Sequence, residues 1–156
     1  MARNKLKADM AGLLGGRASE ELVFNDITSG ASNDLDRVTK LARTMVTRLG
    51  MSRELGPMVY GQKEELIFLG REISEQRDYS ETVAVKIDEE VRRLVQEAYE
   101  RAEDILSTYR TQLDNVAQAL IELETIDRDK FEQLFTEQVD PKNSGTPVPV
   151  AVAGIR

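Results

Sequence analysis

The clearest pattern of apolar and polar positions lies between residues 28 and 50. Apolar side chains recur there every three or four positions, at Leu35, Val38, Leu41, Ala42, Met45, Val46 and Leu49. This spacing predicts an amphipathic helix with one buried stripe. Ser32 is the predicted N-cap, because its hydroxyl can accept a hydrogen bond from an amide of the first turn. Gly50 is the predicted residue after the helix, since glycine turns left-handed at little cost.

Two shorter helices are predicted before this one. The first covers residues 3–14, and its apolar side consists of Leu6, Met10, Leu13 and Leu14. Gly15 and Gly16 interrupt the pattern, either as a C-cap and turn or to let two backbones approach closely. The second helix covers residues 17–24, and the turn-rich segment 25–30 leads into the amphipathic helix.

The longest predicted helix begins with a cap at Ser80 and runs to about Tyr109. One continuous apolar seam follows it, made of Ala84, Ile87, Val91, Leu94, Ala98, Ala102, Ile105 and Tyr109. A helix of about 30 residues is roughly 45 Å long and needs a partner along its length. The apolar face of segment 113–123 supplies one, so the two segments predict a long antiparallel helical hairpin.

The remaining segments complete a mainly α fold. Short apolar runs at 58–60 and 66–69 predict a small β-hairpin or extended arm. This arm could contact substrate or a neighbouring subunit, or it could cover the helical core. A short helix is expected to end near Phe135. Residues 140–156 contain prolines and turn formers, so we expect a domain at 1–139 and a flexible tail at 140–156.

Composition narrows the classes of function. The chain is 40% apolar and 31% charged, as in helix-rich globular proteins. A net charge of −7 without a basic stripe argues against nucleic-acid binding. The chain contains no histidine and no cysteine, which excludes disulfides, thiolate metal sites and His-based catalytic triads. Any metal site made by this chain alone would consist of oxygen ligands only. No apolar run approaches the roughly 20 residues that span a membrane.

Asp34 is the most interesting acidic residue, because it lies in the first turn of the amphipathic helix. It could simply complement the helix dipole, a contribution of roughly 0.3–1 kcal/mol. It could instead bind a metal ion or a substrate, although a lone aspartate is weak evidence for a metal. Glu20 and Glu21 are neighbours about 100° apart on a helix, so they do not form a facing pair of catalytic carboxylates.

Five blocks of sequence bear on the choice between these two roles of Asp34. They are GGRASEELVFNDITSGASNDL at 15–35, LARTMVTRLGMSRELGP at 41–57, FLGRE at 68–72, IDEEVRRL at 87–94 and ETIDRDKFEQLF at 124–135. In this order they resemble the peptidase domain of the FtsH family, which are membrane-anchored, ATP-dependent zinc metalloproteases. The resemblance implies that Asp34 is the third protein ligand of the catalytic zinc. It also implies that Glu21 hydrogen-bonds the free nitrogen of a zinc-bound histidine.

Other parts of the family pattern are missing from this chain. In the family, a His-Glu-x-x-His helix carries two histidine ligands and the glutamate that acts as general base. The chain contains neither that motif nor a P-loop of the G-x-x-x-x-G-K-[ST] type. It therefore resembles the C-terminal part of the peptidase domain, beginning downstream of the zinc helix and without a catalytic residue of its own. Zn²⁺ would be the cofactor of the intact enzyme, whose ATPase module would bind ATP and Mg²⁺.

The expected function is part of a zinc metalloendopeptidase that degrades unfolded or membrane proteins. The chain would supply the third zinc ligand and a helical scaffold that packs into a homo- or hetero-hexamer of FtsH-like subunits. The protease would lie on the cytoplasmic, matrix or stromal side of a membrane, and this chain itself would be soluble. Because one carboxylate cannot hold catalytic zinc, we expect no cleavage by the chain alone. The alternative is a non-catalytic helical interaction module derived from the family, which docks onto related subunits.

Overall fold

A computed structural model describes residues 1–63, 75–76 and 78–136, and these residues are mainly helical, as predicted. The helices are α1 (Arg3–Phe24), α2 (Ser32–Thr47), α3 (Glu81–Thr108), α4 (Arg110–Leu123) and α5 (Arg128–Thr136), with a 3-10 turn at Ser29–Ala31 before α2. Two short strands, β1 (Gln62–Lys63) and β2 (Glu75–Gln76), pair antiparallel. The chain divides into one compact unit at Met1–Thr108 and a second that begins at Tyr109. The predicted tail, 140–156, lies outside the described residues.

The first helix is continuous, so the predicted break at Gly15 and Gly16 is wrong. Buried side chains follow one another at intervals of four across the two glycines: Leu6, Met10, Leu14 and Ala18. This stripe packs against α2 and α3. A glycine inside a helix costs about 1 kcal/mol relative to alanine. Burying one large apolar side chain contributes about 1.5–3 kcal/mol, so tertiary packing outweighs the two glycines.

The predicted stripe of α2 forms much of the core of this unit. Val38, Ala42, Met45 and Val46 are completely buried. The helix ends at Thr47, so Leu49 lies beyond it and is 47% exposed, contrary to its predicted place in the stripe. Gly50 has a φ of +57°, which confirms the predicted left-handed turn after the helix. A Cβ at this position would lie 3.0 Å from the Cα of Pro57, so the loop also depends on the absence of a side chain there.

The third helix supplies the other main surface of the core. The hydroxyl of Ser80 accepts a hydrogen bond from the amide of Val83 (3.3 Å), which confirms the predicted cap. The buried part of the seam is Ile87, Val91, Leu94, Ala98 and Ala102. At the C-terminal end of α3, Ile105 is 46% exposed, so the seam is buried over a shorter length than predicted.

A buried carboxylate ties α3 to α1 and to the loop after α2. Glu90 accepts hydrogen bonds from the hydroxyl of Ser52 (2.6 Å) and from the guanidinium of Arg93 (2.7 and 3.0 Å). Arg93 also pairs with Glu97, which accepts from the ammonium of Lys7 on α1 at 2.6 Å. The hydrogen bond from Arg93 holds the pKa of Glu90 below its usual value despite the burial of this carboxyl. The network therefore joins three segments of the first unit through charged groups.

The described part of the β-pair, Gln62–Lys63 and Glu75–Gln76, consists of residues other than those predicted. Residues 58–60 form no strand, and Met58 and Val59 are more than half exposed in a loop. The predicted strand at 66–69, which contains Phe68, lies outside the described residues. The arm that the sequence predicts, and its contact with substrate or a neighbouring subunit, therefore stay predictions. The start of β1 is held by Gly61, which donates to the carboxylate of Asp78 (2.7 Å) and accepts from the guanidinium of Arg48 (2.7 Å). These contacts connect the base of the β-pair to the end of α2.

The second unit contains α4 and α5, which pack on each other. The predicted short helix ending near Phe135 corresponds to α5. Its aromatic rings cluster, with Phe135 at 5.5 Å from Tyr109 and 5.2 Å from Phe131 between centroids. Asp127 accepts from the amide of Lys130 at 2.8 Å and so caps the helix. The predicted antiparallel pairing of α3 with α4 would join different units and stays a prediction.

Candidate metal centre

Asp34 occupies the first turn of α2, as predicted. Its Oδ1 accepts from Nη1 of Arg37, one turn further along, at 3.2 Å, and its side chain is 42% exposed. Unpaired amides and the helix dipole place positive potential at this end of the helix, which favours a carboxylate. An exposed pair such as Asp34–Arg37 contributes at most about 1 kcal/mol. A divalent cation could therefore replace Arg37 as the partner of this carboxylate.

The turn that leads into this helix is capped by Thr28 and not by Ser32, which corrects the predicted cap. Ser32 lies inside α2, and the residue at its N-cap position is Ala31. The hydroxyl of Thr28 accepts a hydrogen bond from the amide of Gly30 at 3.2 Å, which closes the 3-10 turn. The extra turn displaces the cap four residues upstream, because the chain enters α2 through a tighter helix first.

Glu20 and Glu21 hold different parts of the structure. Glu20 accepts from the hydroxyl of Thr28 at 2.8 Å and from its amide at 3.3 Å. Glu21 instead accepts from the hydroxyl of Tyr99 on α3. Sequence reasoning chose Glu21 and missed the contact of Glu20 with the turn before Asp34. The only signal in the sequence was the spacing of eight residues between Glu20 and Thr28. This spacing indicates a contact only when it is known that α1 ends between the two residues. The proposed bond of Glu21 to a histidine is untested and stays a prediction.

Tyr99 gives Glu21 a partner within this chain. Burial of the ring raises the pKa of Tyr99 to about 12, and the hydrogen bond to the Glu21 carboxylate acts in the same direction. Both effects disfavour a negative charge on the phenol oxygen. The Glu21–Tyr99 pair therefore connects the C-terminal half of α1 to α3 and helps to fix the helix that also carries Glu20.

The described residues do not bring together the donor groups of a complete zinc site. Within the described ranges, no group of three or more candidate metal ligands comes together. Zinc sites use three or four nitrogen, sulfur or oxygen ligands, and this chain can provide neither imidazole nor thiolate. Asp34 can offer one partly exposed carboxylate oxygen to a cation, and its role as a zinc ligand stays a prediction. Among the described residues, no helix is long and apolar enough to cross a membrane.

Comparison with known proteins finds one matching family and several similar sequences. The sequence model of peptidase family M41 matches residues 1–134 of this chain. The chain is 51% identical over 140 residues to the ATP-dependent zinc metalloprotease FtsH of Thermotoga maritima, covering 90% of this chain and 23% of that protein. It is 53% identical over 152 residues to the protein of the same name from Chloroflexus aggregans, covering 94% and 23%. These matches confirm the resemblance seen in the sequence, and the chain spans about a quarter of the length of these relatives.

Proposed function

The chain belongs to peptidase family M41, and from this premise we propose that it supplies one zinc ligand, Asp34, to an ATP-dependent zinc metalloendopeptidase. The observation that carries the proposal is the position of Asp34, in the first turn of α2 with a partly exposed carboxylate. The two relatives are both named ATP-dependent zinc metalloprotease, which supports the same activity.

Within that enzyme, zinc when bound acts as the Lewis acid of peptide hydrolysis. The contribution of this chain is to place a carboxylate oxygen. The packed body of α2 holds the helix against α1 and α3, and the turn before it fixes where the helix begins. The general base and the two nitrogen ligands are proposed to come from parts of the protein outside this chain.

We therefore expect the isolated chain to be inactive. Asp34 alone offers one carboxylate, and peptide hydrolysis by zinc needs a complete set of ligands with an open position. The measurement is cleavage of casein by this chain with added zinc, in the presence and absence of a chelator. Cleavage that the chelator abolishes, and that Asp34→Ala also removes, would overturn this part of the proposal.

The partners of the whole enzyme are part of the same proposal. Its substrates would be unfolded or membrane proteins, and an ATPase module with ATP and Mg²⁺ would deliver them. The subunits would assemble as a homo- or hetero-hexamer, anchored in a membrane with the protease on the cytoplasmic, matrix or stromal side. The family and the word ATP-dependent in the relatives' names support the ATPase module and the protein substrates.

The test of Asp34 uses the full-length protease and a neighbouring aspartate as its control. Asp36 lies two residues further along α2 and pairs with Lys40 at 2.6 Å on the exposed side. Asp34→Ala should remove bound zinc and reduce casein cleavage by more than roughly 100-fold. Loss of a residue that only hydrogen-bonds a metal ligand costs roughly 10–100-fold, and loss of a ligand should cost more. Asp36→Ala should leave both near the wild-type level. Full zinc occupancy in Asp34→Ala would refute the assignment.

A second candidate function, a helical module for self-association, is favoured by the surface of the second unit. Large apolar side chains are exposed on α4 and α5: Leu120 (41%), Ile121 (71%), Leu123 (54%), Phe131 (43%) and Phe135 (40%). Exposed apolar groups of this kind often mark an interface. Light scattering of the chain at increasing concentration tests this function. A monomer at high concentration would count against self-association.

A further inference from the structure

A short series of hydrogen bonds connects α1 to the start of α2. The carboxylate of Glu20 accepts from both the amide and the hydroxyl of Thr28, at 3.3 and 2.8 Å. The same hydroxyl accepts from the amide of Gly30 at 3.2 Å. Thr28 therefore uses its side-chain oxygen twice, once as a donor to α1 and once as an acceptor from the turn.

The turn is built closely around this threonine. A Cβ at Gly30 would lie 3.3 Å from Oγ1 of Thr28 and 3.7 Å from Oε1 of Glu20, so a larger residue would press on the hydrogen-bonded groups. Ala31, the last residue of the turn, is buried. The turn contacts both α1 and α2. Its position thus depends on α1 through Glu20 and on a small buried side chain.

The first turn of α2 needs such support. Complete burial in this helix begins only at Val38, one turn after Asp34. The first amides of a helix have no partners within the helix, so they depend on groups before it. Here the amide of Ser32, the first residue of α2, donates to the carbonyl of Ser29 in the turn. In the first turn itself, packing comes from Leu35, which is only partly buried against the core, so the turn before the helix adds to what holds Asp34 in place.

We propose that Thr28 is a positioning residue for the zinc ligand: its hydroxyl, held by Glu20, fixes the turn from which Asp34 is presented. This inference rests on the proposed function, because it assumes that Asp34 binds zinc. Thr28 itself does not contact the metal. Its role is to reduce the freedom of the helix start, so that the ligand is already in place when zinc binds.

The experiment compares variants of the full-length protease by zinc affinity, measured by competition with a chelator. Thr28→Val keeps the shape of the side chain and removes both hydrogen bonds of the hydroxyl. We expect it to weaken zinc binding about 10–100-fold, as for other groups that orient a metal ligand. Thr28→Ser keeps the hydroxyl, so its zinc affinity should lie within about threefold of wild type. That difference is smaller than the loss of about 10–100-fold expected for Thr28→Val.

A matched control comes from α2 itself. The hydroxyl of Thr39 donates to the carbonyl of Leu35 at 2.7 Å, within the same helix and away from the turn. Thr39→Val should leave zinc affinity unchanged. In this 156-residue chain, Thr28→Val should also speed hydrogen exchange of the Gly30 amide, a readout that does not need zinc.

The outcomes separate the inference from the proposed function. If Asp34→Ala leaves zinc bound, the ligand assignment fails and the inference fails with it. If Asp34→Ala removes zinc but Thr28→Val binds it as tightly as Thr39→Val does, only the inference fails. Equal loss of affinity in Thr28→Ser and Thr28→Val would also overturn it, because the hydroxyl would then not be the group that matters. Glu20→Gln combined with Thr28→Val should cost less than the sum of the two changes, since both act through one bond.

Discussion

Gly50 and Gly56 offer a direct test of how the loop after α2 is built. Both glycines have left-handed backbones, with φ of +57° and +72°. Their surroundings differ. A Cβ at Gly50 would lie 3.0 Å from Cα and 3.3 Å from the carbonyl carbon of Pro57, whereas a Cβ at Gly56 would meet nothing within 4 Å. The two alanine substitutions therefore share one cost and differ in a second.

The expected magnitudes follow from these contacts. A left-handed backbone costs a residue with a side chain about 1–2 kcal/mol, and this applies to both Gly50→Ala and Gly56→Ala. At Gly50 the obstacle is the backbone of Pro57, which can move only if the loop moves. Forcing an extra methyl group into a filled space typically costs about 1–3 kcal/mol. We expect Gly56→Ala to lower the free energy of unfolding by about 1–2 kcal/mol and Gly50→Ala by about 2–5 kcal/mol.

The assay is urea unfolding of the 156-residue chain, followed by far-ultraviolet circular dichroism. The dependence of the unfolding free energy on urea should be the same for both variants, because neither changes the surface exposed on unfolding. The difference between the two midpoints then isolates the contact with Pro57. Equal destabilisation within about 0.5 kcal/mol would refute the argument from that contact. A neutral Gly56→Ala would refute the argument from the backbone.

Three further outcomes are expected for the same chain. Ile87→Ala should lower the free energy of unfolding, measured by urea denaturation, by about 2–5 kcal/mol, because Ile87 is 1% exposed. The control Val85→Ala, on the exposed side of α3, should change it by less than about 0.5 kcal/mol. The pKa of Glu90 is lowered in the folded state, so its contribution to stability is complete above about pH 4.5 and is lost as the pH falls through the folded-state pKa. Glu90→Gln should therefore flatten the acid side of a plot of unfolding free energy against pH. An unchanged slope on that side would contradict the network. The pKa of Tyr99 is raised to about 12, so its contribution to stability is complete below pH 10 and is lost as the pH rises through 12. Absorbance titration should show late ionisation of Tyr99, which Glu21→Gln shifts to lower pH. A titration that Glu21→Gln leaves unchanged would refute the pairing.

Local sequence patterns determined a large part of this protein. The stripe of α2, the cap at Ser80 and the left-handed turn at Gly50 could be predicted because each depends on residues within one or two turns of each other. The family could be recognised from contiguous motifs, and with it the role proposed for Asp34. No fold-wide information was needed for these steps, because the helical period and the cap chemistry are properties of neighbouring residues.

Only the tertiary structure decided the features that depend on residues distant in sequence. Gly15 and Gly16 stay helical because α1 packs against α2 and α3, and no local pattern records the strength of that packing. Thr28 replaces Ser32 as the cap because a 3-10 turn precedes α2, and Glu20 of the preceding helix accepts a hydrogen bond from Thr28. Glu90 is buried although it is charged, since hydrogen bonds from Ser52 and Arg93, which are distant or a turn away in sequence, compensate its charge. Helix propensity and apolar period depend on neighbouring residues, whereas burial and hydrogen bonding between segments depend on residues distant in sequence. Where local preference and tertiary contacts disagreed in this protein, the tertiary contacts determined the structure.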